Sequence, residues 1–230
     1  LVGYFSYDYM KYPEPTLRLT GEDQERVKDM DLMLFRSVIA FDNFTQKLIL
    51  ITNADASDLD ETYPAACAQL DRMAELLRHG APVPRRPARL TTPVEALFSR
   101  EQFCSMVEQA KHYIREGAIF QVVLSNRLEA GFEGSLLDVY RILRTINPSP
   151  YLFYFTSEDM ELAGASPETL VKLEDGVLHT FPLAGTRPRG KTLEEDQVLE
   201  TELLSDEKEL AEHNMLVDLG RNDIGKISRV

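Results

Sequence analysis

Apolar residues recur along the chain with two periods. Between Asp58 and His79 they fall at Ala66, Leu70, Met73 and Leu77, and Gly80 follows; helical spacing closed by a glycine predicts an amphipathic helix with a stop. Ser99 to Glu116 repeats the signal. Phe103, Val107, Ala110 and Ile114 form the stripe, Ser99 with Gln102 has the spacing of a capping box, and Gly117 ends the run. A third helix is predicted over Ser135 to Thr145, ahead of the proline-rich Asn147-Pro148-Ser149-Pro150, and Thr192 with Glu195 opens an acidic helical stretch to about Leu219. The other period is two. Leu32 to Ala40 and Lys47 to Thr52 read as a hairpin joined at Asp42-Asn43. Ile119 to Leu128 predicts a strand with Phe120, Val122, Leu124 and Leu128 on one face and Gln121, Val123, Ser125 and Arg127 on the other. Tyr151 to Thr156 and Glu161 to Ala165 read as strands. Glu168 to Glu174 and Val177 to Phe181 form a hairpin across Asp175-Gly176, a pair that tolerates the positive φ angles of a type I′ turn. Adjacent strands joined by tight turns imply antiparallel pairing and an α+β fold.

Four prolines between Gly80 and Pro93 suit an extended connector. The chain is thus expected to divide into an N-terminal portion (1–79), a proline-rich connector (80–93) and the first part of a catalytic core (94–230). At 230 residues and 43% apolar content it can bury a core, and no run approaches eighteen consecutive apolar residues, so neither disorder nor a membrane span fits. A formal charge of −13 argues against nucleic acid or anionic lipid as partners. Cys67 and Cys104 form no CxxC and no paired spacing, which removes a disulfide framework or zinc site and suits a reducing, cytoplasmic compartment, with a plastid left open. The sequence starts without Met and ends at KISRV in mid-pattern; it is expected to be the central part of a longer chain.

Three places could carry chemistry. Gly185 to Thr192 fits the phosphate-loop expression GxxxxGK[ST]. Physics weighs against it: Pro188 removes a cradling N–H, and Glu194, Glu195 and Asp196 put three carboxylates where an anion would sit. In the acidic helix, Glu209 and Glu212 share a face with His213 beside them. Two such carboxylates suit Mg²⁺ completed by water and an anionic substrate, although spacing alone favours a solvated acidic face. Glu168, after Ser166-Pro167, is a possible proton donor if held in a partly desolvated cleft; by itself it reads as an exposed turn residue. Gln121, mid-strand among apolar neighbours, needs either a structural partner or a ligand.

Taken together, IFQVVLSNR (119–127), NPSPYLFYF (147–155), GASPETLV (164–171), PLAGTRPRG (182–190) and DEKELAEHNMLVDLGRND (206–223) resemble the chorismate-utilising enzymes, and among these anthranilate synthase component I. The resemblance implies large antiparallel sheets packed as a sandwich with surrounding helices. It implies Mg²⁺-dependent attack at ring C2 of chorismate as the C4 hydroxyl leaves, followed by loss of pyruvate, in tryptophan biosynthesis. Glu168 would be the general acid, Glu212 a Mg²⁺ ligand with Glu209 beside it, and Ala184, Gly185 and Thr186 would meet the substrate. Water-adding relatives carry lysine where Gln121 stands, so a neutral amide implies ammonia as nucleophile, supplied from glutamine by a partner amidotransferase. Relatives that make aminodeoxychorismate, the alternative function, commonly carry lysine at Ala184. Asn147, Pro150, Tyr151 and Leu152 would help bind tryptophan as feedback inhibitor, with Leu152 in place of the usual methionine. The family's N-terminal effector segment and C-terminal third are not among these residues. The isolated 230 residues are therefore expected to be inactive and poorly stable.

Overall fold

The computed structural model describes residues 1–18, 25–84 and 86–229. The chain divides into two units, Leu1–Arg85 and Arg86–Val230, and the division falls inside the proline-rich 80–93 stretch, where Arg85 lies outside the described residues.

In the first unit, β1 (Val2–Phe5) pairs antiparallel with β2 (Met30–Met33), and β3 (Ser37–Asp42) with β4 (Lys47–Thr52). Helix α1 (Leu59–His79) opens at Asp58, whose carboxylate accepts from the Glu61 N–H, and lies along β4 with Met73 buried. The β3–β4 hairpin was expected, with different details. Leu32 and Met33 belong to β2, and the turn is four residues long. Asp42 ends β3 and folds back to accept from the N–H groups of Phe44 and Thr45, both at 2.9 Å, and Gln46 takes φ +55°.

The second unit runs β5 (Arg89–Leu90), β6 (Glu95–Ala96), α2 (Arg100–Arg115), β7 (Leu128–Glu129), β8 (Phe132–Glu133), α3 (Leu136–Ile146), β9 (Tyr151–Thr156), β10 (Glu161–Ser166), β11 (Lys172–Glu174), β12 (Val177–His179), α4 (Leu193–Ser205) and α5 (Glu207–Gly225). Ser99 and Gln102 form the reciprocal capping box at α2, and Asp175 and Gly176 take φ +50° and +81° in the β11–β12 turn, as read from the sequence. β9 and β10 pair over six rungs, and α3 packs on them with Tyr140 against Tyr154. Glu161 of β10 fastens α3 by accepting from the Leu136 N–H at 2.6 Å.

Three expectations change. The large sheets are, among the described residues, six two-stranded antiparallel pairs. The strand expected over Ile119 to Leu128 joins a ladder only at Leu128, which faces Ala96; Gln121 to Arg127 pair with no strand among the described residues. Alternation describes a half-buried surface, but a ladder also needs a partner row of N–H and C=O groups. Before that pairing, the side chain of Asn126 takes up the Phe98 peptide, accepting from its N–H and donating to its C=O, each at 3.0 Å. Finally, the acidic helix is two helices. Asp206 is extended at ψ +106°, ends α4 and caps α5, accepting from the N–H groups of Lys208 and Glu209.

Gly164 faces Phe153 across β9–β10, and a Cβ there would enter the Phe153 ring. Gly164→Ala is expected to destabilise the complete protein by about 1–3 kcal/mol in urea unfolding. The Glu209 N–H, then Arg187, hold the Asp206 carboxyl below the usual aspartate range. A folded-state pKa below the unfolded one stabilises above the unfolded value, and the gain disappears as pH falls through the folded value. Between about pH 5 and pH 3, Asp206→Asn should lose less unfolding free energy than the wild type.

Candidate active site

The loop from Pro182 to Gly190 is bound to the α4–α5 elbow through one cation. Arg187 donates to Glu202 at 3.2 Å and to Asp206 at 2.8 Å, and its Nη1 lies 3.9 Å from Glu209. Glu202, then Asp206, hold the guanidinium protonated even more firmly than an ordinary arginine. Its remaining Nη1 bond goes back to the Thr186 carbonyl at 3.1 Å, so the loop curls around its own arginine. This brings Gly185 onto α5. Gly185 has φ +71°, a backbone angle that favours glycine, and a Cβ there would stand 2.8 Å from Glu209 Oε2, so the loop backbone lies close against the Glu209 side chain. Ala184 is half-buried and Thr186 exposed.

The phosphate-loop pattern in the same segment is occupied by the protein's own anions. Gly190 N–H donates to Asp196 and Lys191 N–H to Glu195, both at 2.8 Å, and Arg189 pairs with Asp196 at 2.6 Å. Because Glu195 turns to Lys191, the box expected with Thr192 is one-sided: Thr192 accepts from the Glu195 N–H. Two of the backbone donors that would cradle a phosphate, at Gly190 and Lys191, are already engaged, and the preceding strand β12 belongs to an antiparallel hairpin.

Helix α5 carries the remaining groups on one stripe. At 100° per residue, Glu209, Glu212, Leu216, Leu219, Gly220 and Asp223 fall within about 100° of the helix circumference. Glu209 and Glu212 are half-buried, and the Glu212 carboxylate and the His213 ring have no hydrogen-bond or ion-pair partner among the described residues. Further along, Leu216, Gly220 and Asp223 wall a largely apolar cleft of about 590 Å³, whose opposite side is the turn after β10, with Glu168 and Thr169, and Thr180. Gly220 permits this approach, since a Cβ there would stand 2.9 Å from Thr180 Oγ1. Glu168 is exposed, and its carboxylate is unpartnered among the described residues.

Two expected carboxylates thus share a stripe with the wall of the cleft that the third one lines. Gln121 is not brought there; it is exposed in the unpaired 119–127 stretch. Of the expected effector residues, Asn147 ends α3, Pro150 precedes β9, and Tyr151 and Leu152 open it. Tyr151 pairs with Ser166 and accepts a hydrogen bond from Thr169 at 2.9 Å, which puts it against the Glu168 turn. Sequence reasoning missed Arg187 and Asp206 as organisers. Asp206 had a signal: Asp206 and Glu209 stand at N-cap and N3 spacing, hidden inside an acidic run. Arg187 had none, because its partners lie 15 to 22 residues away. Among the described residues no group of three or more His, Cys, Asp or Glu is placed to hold a metal, so Glu209 and Glu212 could supply only part of a coordination shell.

Comparison with known proteins gives one answer. The sequence profile of the chorismate binding enzyme family matches residues 1–230. Anthranilate synthase component 1 of Acinetobacter calcoaceticus is 47% identical over 238 residues, covering 100% of this chain and 47% of the relative. That of Pseudomonas putida is 42% identical over 235 residues, covering 99% of this chain and 47% of the relative. The crystal structure of anthranilate synthase component I from Streptococcus pneumoniae superposes with a TM-score of 0.83 at 38% identity, over 99% of this chain and 50% of that one. The chain spans about half the length of the relatives it matches. With the matched region running from the first residue to the last, the chain belongs to the chorismate-binding enzyme family.

Proposed function

We propose that the complete protein carrying this chain is the large subunit of anthranilate synthase, converting chorismate and ammonia to anthranilate, pyruvate and water as the first step of tryptophan biosynthesis. The reading is supported above all by 47% identity over the whole chain to an anthranilate synthase component 1. Glu168, unpartnered at a largely apolar cleft, protonates the C4 hydroxyl so that it departs as water while ammonia bonds to C2. Elimination of the enolpyruvyl group as pyruvate, with loss of the C2 proton, then makes the ring aromatic. Gln121, a neutral amide, leaves ammonia free to attack without a base. Ala184, Gly185 and Thr186 meet the substrate from the loop that Arg187 ties to α5.

Glu212, half-buried and unpaired, and Glu209, only loosely approached by Arg187, fit a divalent cation that keeps part of its shell for substrate and water. Such a Mg²⁺ ion, when bound, neutralises the ring carboxylate of chorismate. The six strand pairs are parts of larger antiparallel sheets, closed into a sandwich by the rest of the protein, because each pair leaves two unpaired edges. Ammonia comes from glutamine through an amidotransferase partner. Tryptophan is the feedback inhibitor, bound in part by Asn147, Pro150, Tyr151 and Leu152. The setting is cytoplasmic; no helix among the described residues is long and apolar enough to cross a membrane.

With chorismate, Mg²⁺ and ammonium, the complete protein should produce fluorescent anthranilate, and Glu168→Gln should lower kcat about 10²- to 10⁴-fold. An amino product that retains its pyruvyl group would instead assign aminodeoxychorismate synthesis. Glu212→Gln should raise the Mg²⁺ concentration needed for half-maximal binding in calorimetry; unchanged Mg²⁺ binding would remove Glu212 from the metal site.

A further inference from the structure

The turn that presents Glu168 is held in an unusual way. Among the described residues no backbone–backbone hydrogen bond involves residues 167–171. Apolar packing does not hold it either, since Leu170 is 91% exposed. Two side-chain bonds remain. Ser166 Oγ donates to the Glu168 carbonyl at 3.1 Å, and Thr169 Oγ1 donates to the Tyr151 hydroxyl at 2.9 Å. Both lead to the same residue, because Ser166 is the last rung of β10 and its partner on β9 is Tyr151. Pro167 fixes one further dihedral.

We infer that the Tyr151 hydroxyl is a positioning group for Glu168: with Thr169 it closes the 166–169 turn onto β9 and fixes where the carboxylate enters the cleft. The inference rests on the reading of Glu168 as the general acid. Glu168 is bracketed by one anchor on each side, at Ser166 through the β9–β10 ladder and at Thr169 through the phenol. Without the second anchor, the stretch from Glu168 to the start of β11 is tied only at its ends and gains backbone freedom. A proton donor displaced by a fraction of an ångström loses rate without losing substrate affinity, because its alignment matters as the C–O bond breaks. Both hydroxyls are partly exposed, so the bond adds little to global stability and its effect is local.

The test uses the complete protein with chorismate, Mg²⁺ and ammonium. Tyr151→Phe and Thr169→Val should each lower kcat about five- to tenfold, the scale of one hydrogen bond, with KM for chorismate little changed. The double variant should be no slower than either single one, because both remove the same bond. Thr169→Ser, which keeps the hydroxyl, should recover most of the rate. Wild-type kcat in both single variants, losses that multiply in the double variant, a change confined to KM, or a Thr169→Ser as slow as Thr169→Val would each overturn the inference. Glu168→Gln, measured alongside, separates the two failures. If it is inactive while Tyr151→Phe and Thr169→Val run at full speed, the acid stands and only the positioning role falls. If it keeps full activity, the acid assignment fails and the positioning role falls with it.

Discussion

The candidate site depends on one cation. Arg187 lies among Glu202, Asp206 and Glu209, in a stretch so acidic that α4 alone starts with Glu194, Glu195 and Asp196. Without a positive charge at the elbow, the loop carrying Ala184, Gly185 and Thr186 would meet a wall of carboxylates. The guanidinium is suited to this task because it donates in several directions from one plane, to two helices and to its own loop at once. Its energetic contribution is local, since Glu202 is 60% exposed and water screens that pair. What Arg187 supplies is geometry: it holds the loop that carries Gly185 against the Glu209 side chain.

The same segment shows why a motif needs its surroundings. GxxxxGK[ST] describes backbone donors waiting for an anion at a helix start, and those donors exist here. They are used by Asp196 and Glu195, one and two turns away at most, so the helix supplies its own anions. The three carboxylates that weighed against phosphate in the sequence are the groups that fill its place. A local composition argument therefore succeeded where the pattern misled.

Elsewhere, what could be read from the sequence follows the range of the interaction. The capping box at Ser99 and the Asp175-Gly176 turn are decided within a few residues, and both were legible. β1 was not, because its partner Met30–Met33 is more than twenty residues away and neither run alternates clearly. The 119–128 stretch failed in the opposite sense. Its alternation is genuine, and it leaves Phe120 and Val123 more than four-fifths exposed, but alternation cannot name a partner. Asp206 lay between these cases, with a local cap signal masked by its acidic neighbours.

The site was legible as residues and not as an arrangement. Glu209 and Glu212 were expected on one helical face, and Glu168 at a turn; nothing in the sequence related them. The structure relates them through α5, whose stripe passes from the two carboxylates to Leu216 in one turn, about 6 Å of rise, and reaches Asp223 two turns later. A single helix therefore fixes the separation between the Glu209 and Glu212 carboxylates at its first turns and the Glu168 turn facing its middle. That division of labour makes Asp206 more than a cap. By starting α5 where it does, Asp206 decides the rotation of the stripe, and a helix continuous from Leu193 would have kept the phase of α4 instead. The break that sequence reading overlooked is what lets one helix face both the Arg187 loop and the Glu168 cleft.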